Sequence, residues 1–145
     1  MVADPADTRQ RLTHVGQGAG LHHRIEGSAA VAVGIFAGMP VQDYAVAVGW
    51  YTRLLGSEPA FFPNDVEAVW RLADSCHLYV IQDPQRAGGG VCMLWVDDPA
   101  SEVGDIAARG LEPTGVEKHD GVWKYVFQDP DGNEVGIGGE VEPAG

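Results

Sequence analysis

Apolar segments alternate with turn residues from Val31 onward, and this pattern divides the chain into two similar halves. The first half opens with an apolar, partly β-branched segment over 31–37, which predicts a buried strand. A helix is predicted over 43–55, with Asp43 as its N-cap and Gly56 as its stop signal. Three short strands are then predicted over 58–62, 67–73 and 76–82.

The second half repeats this order after a glycine-rich linker over 85–90. A strand is predicted over 91–96 and a helix over 99–109, and Gly110 is placed to end that helix. Three more strands are predicted over 111–118, 121–128 and 134–138. The sequence therefore predicts an α+β fold in which two tandem βαβββ units, 31–84 and 90–140, form one domain over 31–140.

Residues 1–30 differ from the rest of the chain in composition and in apolar periodicity. They carry scattered charge and glycine and show no sustained apolar periodicity, which predicts a poorly ordered N-terminal tail. The adjacent His22 and His23 could bind a stray metal ion, but a solvated position in the tail is the simpler interpretation.

Charge and composition restrict the classes of function. The first thirty residues hold three acids and three bases, so the formal charge of −12 lies entirely on residues 31–145. Such an acidic domain is not expected to bind nucleic acid or an anionic membrane. No apolar run is long enough to cross a membrane, and the N-terminus has no apolar signal core, so a cytoplasmic location is predicted. Cys76 and Cys92 match no zinc motif and are expected to be reduced.

Three segments resemble a known superfamily. They are Val41-Gln42-Asp43 with the helix ending Trp50-Tyr51-Thr52-Arg53-Leu54-Leu55-Gly56, the junction Trp95-Val96-Asp97-Asp98-Pro99, and the closing hairpin Asp129-Pro130-Asp131-Gly132-Asn133. Their order and spacing resemble the vicinal-oxygen-chelate superfamily, which contains glyoxalase I, bleomycin-resistance proteins and extradiol dioxygenases. The resemblance implies a cupped mixed sheet with the helices on its outer face.

The same resemblance implies where metal ligands would lie. In metal-dependent members these are His, Gln or Glu side chains, and their positions fall here on Phe36, Val91 and Gly136, with the fourth near Tyr79. Phenylalanine, valine and glycine cannot ligate a metal through a side chain. Glu134 shares strand parity with Gly136, but one carboxylate is a poor metal site. The sequence therefore resembles a member that lacks the metal ligands, and no metal or cofactor is expected.

Strand alternation indicates what could line the cup. Residues two apart along a strand share a face, so the residues two positions before and after each mapped position also face the cup. Further candidates are Trp70, Trp123 and Tyr125. The alternative is that the tryptophans at 70, 95 and 123 pack on the concave face of the sheet against a partner subunit. The predicted ligand-binding residues are Phe36, Trp70, His77, Tyr79, Val91, Met93, Trp95, Trp123, Tyr125, Glu134 and Gly136.

These features favour a small-molecule-binding protein of the glyoxalase/bleomycin-resistance type. The expected ligand is an aromatic or cationic organic molecule, bound without metal in a homodimer with pockets shaped by both chains. One alternative is a lyase, isomerase or dioxygenase with an atypical metal or acid/base site at His77 or Glu134. A third interpretation is an interaction module whose cup is filled by its own aromatic side chains.

Overall fold

The computed structural model describes residues 31–141, and the predicted tail at 1–30 lies outside them. The described residues follow the order βαβββ twice, as the sequence predicts. The first repeat contains β1 (Ile35–Val41), α1 (Tyr44–Leu55), β2 (Phe61–Asn64), β3 (Glu67–Ala73) and β4 (Cys76–Gln82). The second contains β5 (Val91–Trp95), α2 (Pro99–Ala108), β6 (Gly115–His119), β7 (Val122–Gln128) and β8 (Glu134–Glu140).

The strands form two four-stranded sheets with the same internal order, β1-β4-β3-β2 and β5-β8-β7-β6. In the second sheet β5 runs parallel to β8, whereas β8 and β7, and β7 and β6, are antiparallel. The predicted α+β fold with two tandem βαβββ units is confirmed.

The helix boundaries follow from capping residues. The Asp43 carboxylate accepts a hydrogen bond from the Val46 amide at the start of α1. Gly56 ends this helix at a φ of 75°, in the left-handed region that glycine adopts without steric cost. The Asp98 carboxylate caps α2 in the same way, by accepting from the Ser101 amide. Both helices thus begin and end close to the predicted positions.

Several strand boundaries differ from the prediction, and the differences are largest in β1, β2 and β6. Strand β1 continues through Pro40 because β1 is an edge strand, where a missing N–H is tolerated. Strand β2 begins at Phe61 and includes Pro63, at an irregularity in its register with β3. Strand β6 begins only at Gly115, after Pro113, because the Leu111 amide donates to the Ile106 carbonyl at the end of α2.

Contacts divide the described chain into two compact units. One comprises residues 31–36 with Arg71–His77, and the other comprises Ala37–Trp70 with the residues from Leu78 onward. Within the second unit, hydrogen bonds connect the two repeats. The Tyr51 hydroxyl donates to Asp129 at 2.8 Å, and the side-chain amide of Asn133 donates to the Pro40 carbonyl at 2.7 Å. No helix within residues 31–141 is long and apolar enough to span a membrane.

Candidate functional site

The register of the second sheet assigns its side chains to two faces. Val91 pairs with Glu134, Met93 with Gly136 and Trp95 with Gly138. Directly paired residues point to the same side of a sheet, and residues two apart along a strand share that side. Lys124 of β7 pairs with Gly138 and joins the same side. We call this side the open face; its residues include Val91, Met93, Trp95, Lys124, Val126, Glu134, Gly136 and Gly138.

The open face exposes a row of large apolar side chains along β5. Val91, Met93 and Trp95 retain 72%, 46% and 38% of their accessible surface. On the opposite side of the sheet, Val135 and Ile137 are buried. A single exposed apolar residue is ordinary, but three in a row form a patch of the kind that marks a binding surface.

Two glycines on β8 leave room that neighbouring side chains occupy. A Cβ atom added at Gly136 would lie 2.7 Å from Lys124 Cε, and one added at Gly138 would lie 2.8 Å from Met93 Sδ. The lysine and methionine side chains therefore lie directly over the glycines. Both are flexible, so they can move where a fixed backbone group could not.

Lys124 supplies the positive charge of the open face. Its ammonium nitrogen lies 3.0 Å from Glu134 Oε2 and 3.9 Å from Glu117 Oε1. The hydrogen bond to Glu134 raises the pKa of Lys124, so the amine stays protonated near neutral pH. Sequence reasoning missed this residue. The short closing turn pairs Gln128 with Glu134, and counting back along β7 from that pair would have found it.

The side chains at the mapped metal positions do not fit a metal ion. Val91 is exposed and apolar, Gly136 lies beneath Lys124, and Phe36 stacks on an imidazole. Within the part of the chain that the structure describes, no three His, Cys, Asp or Glu side chains come together in an arrangement that could hold a metal ion.

Phe36 and His77 form a pair in the first of the two units. Their rings stack at a centroid distance of 4.3 Å with an interplanar angle of 10°. His77 Nδ1 is buried, and no residue within 31–141 forms a hydrogen bond with it. Buried polar atoms usually have a partner, so a bound molecule that reaches this nitrogen could form a hydrogen bond with it.

Tyr79 and Trp70 occupy different environments. A Cβ atom added at Gly38 would lie 2.5 Å from Tyr79 Cζ, so the half-buried tyrosine ring lies over this glycine. Trp70 is only 1% exposed, and its indole N–H donates to the Ser57 carbonyl at 2.9 Å. Trp70 is thus a core residue and presents no accessible surface to a ligand.

Trp123 and Tyr125 lie on the face of the second sheet opposite the open face. Trp123 pairs with Gly139 and Tyr125 pairs with Ile137, whereas the open face carries Gly136 and Gly138. The sequence had grouped these two aromatic residues with Glu134, and the register separates them from it. This opposite side is also where α2 packs, because a Cβ atom at Gly139 would lie 2.9 Å from Pro99 Cγ.

The fold and its pattern of repeats define a member of the vicinal-oxygen-chelate superfamily. The chain is 38% identical to the glyoxalase / bleomycin resistance protein from Catenulispora acidiphila DSM 44928, over 73% of this chain and 96% of that one, with a TM-score of 0.71. The chain therefore belongs to the glyoxalase/bleomycin resistance protein family. No protein-family model and no curated protein matches the sequence.

Two more distant solved structures share the fold. TnmS3, an antibiotic binding protein from Streptomyces sp. CB03234, is 19% identical over 77% of this chain and 98% of its own, with a TM-score of 0.61. Lactoylglutathione lyase from Agrobacterium tumefaciens is 18% identical over 72% of this chain and 91% of its own, with a TM-score of 0.58. One is described as a binding protein and the other as an enzyme, so the fold alone does not decide between these functions.

Proposed function

We propose that this protein binds a small organic molecule on the open face, without a metal ion. The observation that carries the proposal is the exposed row of Val91, Met93 and Trp95 beside Gly136 and Gly138. Large apolar side chains suit a flat or amphipathic ligand, and the Lys124 and Met93 side chains that cover the two glycines are flexible and can move to admit it. The description of TnmS3 as an antibiotic binding protein supports the same class of function.

The charges of the open face favour a ligand that carries a positive group. Lys124 is already paired with Glu134, and Glu117 lies close to the same ammonium. Two carboxylates around one ammonium leave a net negative charge beside the apolar row. We therefore propose an aromatic ligand with a cationic group that contacts Glu134.

The proposed binding is tested with a panel of flat aromatic compounds, cationic and uncharged, and separately with bleomycin. Trp95→Ala should weaken a compound that binds the native protein by about 1–3 kcal/mol, because the aromatic surface of the site is lost. Val46→Ala removes an exposed apolar side chain of α1 and serves as the matched control. Titration calorimetry measures both variants, and equal affinity in native protein and Trp95→Ala would exclude Trp95 from the site.

Metal independence is supported by the residue types at the mapped positions, since Phe36, Val91 and Gly136 offer no ligand atoms. Elemental mass spectrometry of untagged protein, purified without chelators, should find far less than one ion per chain. A variant lacking His22 and His23 controls for adventitious binding. About one ion per chain, retained in that variant, would contradict the proposal.

We further propose that the protein is a homodimer in solution. A second copy that covers part of the exposed β5 row would remove apolar surface from water and leave a ligand pocket shaped by both chains. Light scattering coupled to gel filtration gives the mass directly, and a monomer at micromolar concentration would contradict this part of the proposal. The cytoplasmic location and the roles of Phe36 and Tyr79 stay predictions.

One observation favours acid/base catalysis as a second candidate function. The unpartnered Nδ1 of His77 is available to exchange a proton or a hydrogen bond with a bound molecule. Glu134 is a weaker candidate because it is already paired with Lys124. In protein labelled with ¹⁵N-histidine, a compound that engages Nδ1 should shift the His77 resonance. If every compound that binds leaves the His77 resonance unchanged, this role is excluded.

A further inference from the structure

A cleft lies away from the open face, beside the start of α2. Its volume is about 400 Å³, and its lining includes Asp97, Asp98, Pro99, Trp123, Tyr125 and Glu140. The two aromatic residues are on the helix-bearing side of the second sheet, as the register shows. The cleft therefore shares neither of its aromatic residues with the proposed ligand site.

The aromatic residues offer a surface of the kind that binds cations. The rings of Trp123 and Tyr125 lie 6.2 Å apart between centroids and are tilted by 55°. The ammonium group of Lys118 already lies 4.1 Å from the centroid of the Trp123 ring. This contact shows that the ring accepts a positive charge in the folded protein, and tryptophan is the side chain that does so best.

The remaining lining residues add negative charge. Asp97, Asp98 and Glu140 are acidic, and within residues 31–141 the lining itself contains no lysine or arginine, so the Lys118 ammonium over the Trp123 ring is the neighbouring positive charge. The Asp98 carboxylate accepts from the Ser101 amide and so counters the partial positive charge at the start of α2. Asp97 is exposed beside it, and the acidic charge of the whole chain adds to the attraction for a cation.

We propose that this cleft binds the ammonium group of a small organic cation, with Trp123 as the aromatic contact and Asp97 as an electrostatic partner. This site is independent of the ligand proposed for the open face. A cation that enters the cleft replaces or joins Lys118 over the Trp123 ring.

Choline and its uncharged carbon analogue 3,3-dimethylbutan-1-ol are the probes, because they have the same shape and differ in charge. Protein labelled with ¹⁵N-tryptophan gives an indole resonance for Trp123, assigned with Trp123→Phe. Choline should shift this resonance with a dissociation constant of about 1 mM, the range expected for a shallow cation site. The uncharged analogue should bind at least about tenfold more weakly.

Variants separate this cleft from the rest of the molecule. Followed through the backbone amide resonances of uniformly ¹⁵N-labelled protein, choline affinity should fall about tenfold in Trp123→Ala and about threefold in Asp97→Asn, and Trp123→Phe should retain part of it. Phe62→Ala, which removes an exposed aromatic residue that does not line the cleft, should bind choline as the native protein does. The other indole resonances report whether each variant remains folded.

Three outcomes would overturn the proposal. They are equal binding of choline and its uncharged analogue, no shift at Trp123 at any choline concentration, and unchanged affinity in folded Trp123→Ala. Loss of choline binding in Trp95→Ala but not in Trp123→Ala would assign the cation to the open face instead. Failure of the open-face ligand screen would leave the result for the cleft unaffected.

Discussion

The two faces of the second sheet are made by the same strands, yet they differ in how their apolar side chains are covered. On the face towards α2, Phe127, Val135 and Ile137 are buried. On the open face, Val91, Met93 and Trp95 are exposed, and the adjoining positions of β8 are glycines. Parity along a strand assigns each side chain to a face, but burial also depends on its neighbours, since Val126 shares the open face with Lys124 and is only 8% exposed.

Residues that stabilise the fold and residues that are proposed to bind a ligand therefore lie close together in this sheet. Burial of apolar surface stabilises the fold, so the covered face should carry most of the free energy of folding that this sheet contributes. The open face contributes less to folding, and its composition is therefore freer to suit a ligand. A mutation of a buried residue on the face towards α2 should change the free energy of unfolding, and a mutation of an exposed β5 residue should change binding of the open-face ligand.

The largest expected effect compares an aromatic residue from each face. Phe127→Ala should lower the free energy of unfolding by about 3–5 kcal/mol, because a fully buried ring leaves a cavity. Trp95→Ala should lower it by about 1 kcal/mol or less, since its ring is partly in water already. Urea denaturation followed by circular dichroism measures both. Similar losses in the two variants would show that the open face is part of the core.

A smaller effect is expected at the polar contact between the repeats. The Tyr51 hydroxyl is buried and donates to Asp129. Burial raises the pKa of Tyr51, and the negative charge of Asp129 raises it further. Tyr51→Phe should cost about 1–3 kcal/mol, because a buried carboxylate loses a donor.

Tyr44→Phe is the matched control for this contact. Its hydroxyl donates to the Glu67 carbonyl from a more exposed position, so its loss should cost about 1 kcal/mol or less. The same denaturation experiment measures both variants. An effect of Tyr51→Phe no larger than that of Tyr44→Phe would contradict the importance assigned to the contact with Asp129.

The sequence predicted the order of elements well because local signals specify them. Capping by Asp43 and the stop at Gly56 depend only on neighbouring residues, and both agree with the structure. The positions of Trp123 and Tyr125 were harder to predict, because the face of a strand depends on which residues pair across the hairpin. Lys124 was missed for the same reason. The burial of Trp70 and the unpartnered nitrogen of His77 depend on packing against distant segments, which no local pattern specifies.

The smallest expected effect concerns reactivity rather than stability. Burial, and after it the charge of Glu134, raises the pKa of the Cys92 thiol from 9.0 to about 11, whereas Cys76 is exposed. Because the folded-state pKa is the higher one, the associated stability is fully present below the unfolded pKa of 9.0 and is lost as the pH rises through about 11.

A thiol reagent distinguishes the two cysteines. At about pH 8, Cys76 should react quickly and Cys92 slowly, because little of the buried thiol is ionised. Cys76→Ser should leave only the slow phase, whose rate should rise with pH up to about 11. A Cys92 rate that levels off near pH 9 would show that its thiol is no less acidic than a free one.

The side chain of Lys124 above Gly136 also determines how adaptable the open face is. The space over this glycine is filled by methylene groups rather than by backbone, so rotation about side-chain bonds changes its depth without moving the sheet. Such rotations take place within nanoseconds for accessible side chains. The protein can thus accept molecules of different thickness at the same place, and the cationic group of each must compete with the Lys124 ammonium for Glu134.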